Sequence, residues 1–366
     1  MTRFRPTVVE VDLEAVRHNV RRLKPPRTEL MAVVKADGYG HGDVPVARAA
    51  LEAGATWLGV ALVEEGIGLR EAGIEAPVLV LSEFPHGAEE EALAAGLTPT
   101  VYTEEGVEAL GRAAAAVGRD VSDHVKLDTG MHRVGLWPPT SAPVLCRQVV
   151  AAGLSLGGMW THFASSESDG STTRDQLARF SAAVEAVRAD GHAPGLLHAA
   201  NSAATITLPQ SHLDLVRPGA AVYGLAAGPG LEEGLHPAMT LRSRVSLVKR
   251  LPAGERLSYG HRYELSRDAW VATVPVGYGD GYPRLLSSKA DVLIRGRRFR
   301  VAGTVTMDQL LVDCGDEEVS AGDDVVLLGE QGGQRITAEE LAALVGTIGY
   351  EIVTAVSERV PREHRG

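Results

Sequence analysis

Cysteine is nearly absent from this 366-residue chain, which holds only Cys146 and Cys314. Two cannot build a disulfide framework, nothing in their spacing suggests a zinc site or any other metal centre, and a reducing compartment fits. Long apolar runs are absent as well. No stretch approaches the ~20 residues of a membrane span. The N-terminus, MTRFRPTVVEVDL, turns strand-like without an apolar core of signal-peptide length, so the expected location is the cytoplasm. A basic excess is also missing. With 36 Lys and Arg against 47 Asp and Glu, a formal charge of -11 and a pI near 5.6, the chain lacks the concentrated positive face needed to track a nucleic-acid backbone or an anionic membrane. Small solutes are the expected partners. What is present is enough apolar material, 45% of the residues, to build two cores.

That material is strongly patterned. After a strand-like Val8 to Val11, residues Leu13, Val16, Val20 and Leu23 have helical spacing, and Pro25-Pro26 stops the helix. Eight short apolar runs follow: Leu30 to Val34, Trp57 to Ala61, Val78 to Leu81, Thr98 to Tyr102, His124 to Leu127, Leu154 to Trp160, Gly195 to His198 and Leu213 to Val216. Most are separated by Ala-rich amphipathic stretches, among them Val63 to Ala72, Glu104 to Val117, Ala142 to Ala152 and Thr173 to Ala189. Eightfold strand-helix alternation predicts a (β/α)8 TIM barrel. A doubly wound open sheet is the rival, and the lack of a G-x-G-x-x-G turn after the first strand weighs against it. Beyond a Gly- and Ala-rich linker at Leu225 to Gly234 the runs shorten and several alternate, as in Met239 to Val248, Trp270 to Val276, Ala290 to Ile294, Gln309 to Cys314 and Asp324 to Leu328. They predict a mostly antiparallel β domain. One helix is expected at Thr337 to Val345, with Thr337 as N-cap, Glu340 completing a capping box and Gly346 past the end. The expected division is a barrel at 1–228 and a β-rich domain at 236–366.

A barrel builds its site at the C-terminal ends of its strands, and the unusual polar residues fall there. Lys35 follows the first strand, Lys126 and Arg133 flank the fifth, His162 follows the sixth, Asn201-Ser202 the seventh, and Arg217 ends the eighth. Around Lys35 the sequence reads VVKADGYGHG, a strand running into a Gly-punctuated loop before the helix-like Val44 to Ala53. A lysine at a buried strand end either reaches water or becomes less basic, and the second outcome yields a usable amine nucleophile. The loops after strands seven and eight are the usual phosphate cradle of this fold, making Ser202, Gly219 and Ala220 candidate contacts.

The decade around Lys35, together with KLDTGMHRVG (Lys126 to Gly135), THFA at His162, VRPGAAVYG at Arg217, LSYGHRY at Tyr259, VGYGDGYPR at Tyr278, TVTMDQ at Met307 and GYEIV at Tyr350, resembles the alanine racemases over nearly the whole chain. The resemblance implies a homodimeric, pyridoxal-phosphate (PLP) dependent enzyme that interconverts L- and D-alanine by a two-base mechanism and supplies D-alanine for peptidoglycan. In that reading Lys35 is the Schiff-base lysine and one base. Tyr259, supplied by the partner subunit, is the other. Tyr39, Ser202, Gly219, Ala220 and Tyr350 bind the phosphate, and Arg217 faces the pyridine nitrogen. His162 links Arg217 to the tyrosine, Arg133, Met307 and Tyr278 meet the substrate, and Lys126 is carbamylated beside Arg133. Ala220 stands where a bulkier aliphatic residue is expected after RPG, and Thr306 where some relatives carry Cys.

Competing readings are separable on the same residues. A barrel-plus-β-domain decarboxylase would place an acid at the ring nitrogen and a protonating Cys on the second domain, where this chain has Arg217 and Tyr259. A PLP carrier would need neither a second domain nor a base on the far face. Racemisation of serine differs only in pocket size, because one hydroxyl discriminates weakly in an apolar pocket.

Overall fold

The structure, a computed structural model, describes residues 4–366. The chain divides into two compact units, one made of Val16–Gly38 and Asp43–His236, the other of the N-terminal segment through Ala15, Tyr39–Gly42 and Pro237–Gly366.

The first unit is a barrel. Among the described residues its eight parallel strands are Glu29–Val33, Trp57–Val60, Val78–Val80, Thr100–Val101, Ser122–Lys126, Ser155–Trp160, Leu196–His198 and Leu215–Val216. The first pairs with the second (Met31 opposite Trp57) and with the eighth (Leu30 opposite Val216), which closes the ring at that point. At the two remaining seams the ladder thins to a pair of backbone bonds each. Thr98 N donates to Val78 O (2.8 Å) and Val80 N to Thr98 O (3.0 Å) on one side, and Asp214 N to Leu197 O (3.0 Å) and Arg217 N to Ala200 O (2.9 Å) on the other.

Local chemistry sets where the outer helices begin and end. The Thr103 hydroxyl caps Glu104–Val117 by accepting from Gly106 N, and Gly118 ends that helix at φ 62°, a left-handed conformation that glycine adopts cheaply. Helix Gly170–Ala189 starts three residues earlier than the apolar spacing predicts, because Asp169 accepts from both Ser171 N and Thr172 N. The fifth strand shows how the two faces differ. Val125 packs outward with Leu110, Leu145, Val149 and Phe180, whereas the rings and cations of His124 and Lys126 meet residues of neighbouring strands.

The second unit is built on a ten-stranded sheet among the described residues. Its spatial order runs Leu247–Leu251, Ala269–Val274, Leu310–Gly315, Arg297–Val301, Asp291–Ile294, Asp324–Gln331, Met239–Arg244, Val8–Asp12, Arg362–Arg365, with Gln334–Ile336 paired to Asp324–Gln331. All ladders are antiparallel except the pairing of Val8–Asp12 with Arg362–Arg365. Thr337 caps helix Ala338–Val345 by accepting from Glu340 N (3.0 Å), and Gly346 follows it at φ 78°. Two features depart from the sequence reading. The strand Val8–Asp12 precedes the barrel in the chain yet pairs with strands some 230 to 350 residues later (Val9 opposite Leu241 and Arg362), so a division in chain order cannot describe the two units. Arg297–Val301, RRFRV, reads as polar but forms a strand against Asp291–Ile294, its arginines Arg297 and Arg300 pairing with Glu317 and Asp291.

Candidate active site

Where the sequence suggests a loop after the first barrel strand, the chain winds into a helical turn, Lys35–Gly40, of left-handed sense. Ala36, Asp37 and Tyr39 take φ near 53° along with Gly38 at 57° and Gly40 at 79°. Each non-glycine residue in that region costs about 1–2 kcal/mol. The turn is held by specific bonds. Glu65 accepts from Ala36 N (2.7 Å) while its other oxygen accepts from Ala61 N and Leu62 N. Gly38 N donates to Val34 O, and the Tyr223 hydroxyl donates to Val33 O just before the turn. This strained, braced segment carries Lys35, a pattern expected where backbone geometry serves a site.

The barrel mouth around Lys35 is rich in cations. Lys35 is half-buried and made less basic by burial and by Arg133, with Glu65 opposing. Lys126 is 3% exposed, donates to Leu81 O and lies 4.1 Å above the Trp160 ring. Burial, then Arg217, Arg133 and Lys35, brings its pKa down to about 7, so near neutral pH much of it is an uncharged nucleophile. Arg133 and His162 line a small cleft with Lys126, Asp128 and Met131. Burial and the four surrounding cations keep the His162 ring neutral. Asp128 shapes the loop by accepting from Gly130, Met131 and His132 backbone N–H groups.

Arg217 is buried and held by three hydrogen bonds through its two terminal nitrogens. It donates to Thr161 O (2.7 Å), Ala199 O (3.2 Å) and His198 Nδ1 (3.1 Å), and its guanidinium lies 4.7 Å from the Trp160 ring centre. Burial lowers its pKa to about 9. Its hydrogen-bonded imidazole is thus His198, and on the neutral His162 ring it acts as a nearby positive charge. Beside it the Ser202 hydroxyl accepts from Gly219 N (2.9 Å) and Ala221 N (3.3 Å). The hydroxyl oxygen thus gathers two backbone donors at one spot, and a phosphate bound there would take these amides over from Ser202. An amine of reduced basicity, converging anion donors and a fixed cation fit a phosphorylated aldehyde such as PLP.

The second unit holds the remaining candidates. Tyr39 and Tyr350 meet edge to face with centroids 6.2 Å apart, and burial and Tyr350 push the Tyr39 phenol up. Tyr259, 73% exposed, sits on a turn between Ser258 and His261, both at positive φ. That turn is pinned because the Thr304 hydroxyl donates to Tyr259 O and Ser258 Oγ to Thr304 O. Tyr278 and Met307 lie on two loops laced together by Tyr278 N to Thr306 O and Gly279 N to Met307 O. Gly277 lets them approach, since a Cβ there would run into the Thr306 and Met307 carbonyls. Beneath, buried Asp280 takes Arg5 and Arg359, and Arg359 also grips Asp308.

His198, His124, Trp160, Glu65, Asp280 and Arg359 escape sequence reasoning. The one available signal was the pair of histidines, His124 and His198, inside otherwise apolar strands.

Known proteins resemble this chain in sequence and fold. Residues 11–227 match the family model described as alanine racemase, N-terminal domain, and 238–364 that of alanine racemase, C-terminal domain. The chain is 51% identical to an alanine racemase of Symbiobacterium thermophilum, over 99% of this chain and 98% of that one. It is 45% identical to one of Frankia casuarinae, over 97% and 95%. The crystal structure of alanine racemase from Streptomyces lavendulae superposes with a TM-score of 0.95 at 42% identity, covering 100% of this chain and 98% of that chain.

Proposed function

The chain belongs to the alanine racemase family, and from that premise we propose how its residues interconvert L- and D-alanine. It is a PLP-dependent amino-acid racemase, an isomerase whose product serves peptidoglycan synthesis. Lys35 would hold the cofactor's aldehyde carbon, and Ser202 with the Gly219 and Ala220 amides its phosphate, joined by the Tyr39 and Tyr350 hydroxyls. Arg217 would face its ring nitrogen. When bound, PLP supplies the electron withdrawal that makes the substrate Cα–H acidic.

The protein's own groups then handle the proton. Racemisation requires removal from one face of Cα and return to the other, so two acid/base groups must flank it. Lys35 serves the D enantiomer, an amine already made less basic by burial and Arg133. Tyr259 of the partner subunit serves the L enantiomer, with His162 and Arg217 stabilising its phenolate. Arg217, a cation that keeps its protons at neutral pH, would oppose protonation of the ring nitrogen and so limit side reactions. Arg133 holds the substrate carboxylate, Tyr278 and Met307 line its approach, and a carbamate on Lys126 turns a repelling cation into an anion that fixes Arg133. The enzyme works as a cytoplasmic homodimer in which the barrel unit holds the cofactor and the β-rich unit of the partner completes the site.

The observation that carries this reading is the Lys35 amine, made less basic by burial and Arg133, at the same end of the barrel as Ser202 and the Gly219 and Ala221 amides bonded to it. Lys35→Ala should abolish both the absorbance of lysine-bound PLP and racemisation. Tyr259→Phe should suppress proton abstraction from L-alanine far more than PLP binding. Retention of both properties in the lysine variant overturns the assignment.

A further inference from the structure

Arg217 is held through a second and a third residue. A guanidinium carries only donors, so the His198 Nδ1 that it meets at 3.1 Å must present a lone pair. His198 is fully buried and neutral, which leaves its single proton on Nε2. That atom lies 2.8 Å from His124 Nδ1, itself buried, so His198 donates and His124 accepts. The polarity of the chain is thereby fixed in one direction: Arg217 to His198 to His124.

The pair is built in rather than incidental. Trp160 stacks on His198 with planes 10° apart, and Trp57 packs on His124 at 5.4 Å while its indole N–H donates to Glu29. Gly158 makes room, since a Cβ there would stand 2.6 Å from His124 Nδ1. Without an acceptor at His124, the buried Nε2–H of His198 loses its partner. The opposite neutral tautomer would then relieve it, but that form turns an N–H toward Arg217, donor against donor.

We propose that His124 is a positioning residue for racemisation, selecting the Nε2–H tautomer of His198 and so keeping Arg217 aimed as a fixed donor. The proposal rests on the reading above, in which Arg217 faces the cofactor ring. His124→Leu removes the acceptor, whereas His124→Asn keeps an acceptor oxygen near the place of Nδ1. Imidazole 15N shifts of the histidine-labelled apoprotein, with His198 assigned by its own substitution, should report the Nε2–H form in the unsubstituted protein. They should show its loss in His124→Leu and its return in His124→Asn. In the PLP-loaded enzyme kcat should fall about tenfold or more in His124→Leu with KM within about twofold, and recover in His124→Asn. An unchanged His198 tautomer in His124→Leu, or equal losses in both variants, overturns the proposal. Absence of alanine racemisation in the unsubstituted enzyme would instead overturn the functional reading and leave the tautomer result standing.

Discussion

Asp123 lies on the outward face of the fifth barrel strand, with no solvent exposure and neither carboxylate oxygen hydrogen-bonded to a partner. Burial raises its pKa to about 7, with a contact to its own backbone amide offsetting part of the rise. In the unfolded chain the same carboxyl titrates near 3.9, and the gap corresponds to at most ~4 kcal/mol. The sign follows from proton binding. Between about pH 4 and 7 the folded state holds a proton that the unfolded state has released, so Asp123 stabilises the fold at low pH, and that contribution is lost as pH rises through about 7. Asp123→Asn removes the titration while keeping the shape. The buried amide adds an offset that does not vary with pH. Urea unfolding of the two PLP-loaded proteins at equal concentration from pH 5 to 8 should therefore give a stability difference that shifts toward the variant by ~1–3 kcal/mol, most steeply between about pH 5 and 6 and levelling off above about 7. Parallel pH profiles would refute the claim that this carboxyl is buried without a partner.

The cradle gives a second prediction: Ser202→Ala leaves Gly219 N and Ala221 N without their acceptor and takes a hydroxyl from the phosphate, weakening PLP binding about tenfold. Absorbance titration of the apoprotein reads this, and an unchanged Kd contradicts the cradle. Gly277→Ala should push apart the loops bearing Tyr278 and Met307, costing about 2 kcal/mol or more in stability and raising KM for alanine. Intact stability and KM would show that the loops tolerate separation. Because Lys126 titrates at about 7, its carbamate should accumulate as pH rises through that value, visible by 13C NMR after equilibration with labelled CO2 and absent in Lys126→Ala. A signal indifferent to that substitution would place the modification elsewhere.

Much of the barrel was legible because strands buried on both faces read as apolar runs, and helices around them carry a wide apolar stripe. The helix at Ala338–Val345 was legible because its cap residues act locally, Thr337 on Glu340 N and Gly346 by its positive φ. What escaped depends on distant partners or opposes local preference. Nothing near Val8–Asp12 announces that Met239–Arg244 will pair with it. The left-handed turn at Lys35–Gly40 contradicts the preferences of Ala36, Asp37 and Tyr39, and the groups that brace it include Glu65 and Tyr223, about thirty and nearly two hundred residues on. Lys35, Lys126, Arg133, His162, Ser202 and Arg217 stood out as polar groups at strand ends. His124 and His198 did not, because a histidine inside an apolar strand looks like core until its neighbour is known.

The most direct test of the central claim is polarimetry of L-alanine with the purified, PLP-loaded protein, run beside L-serine and L-ornithine. The rotation of alanine should decay to zero well ahead of the other two. A constant alanine rotation, with or without loss of the others, would contradict it.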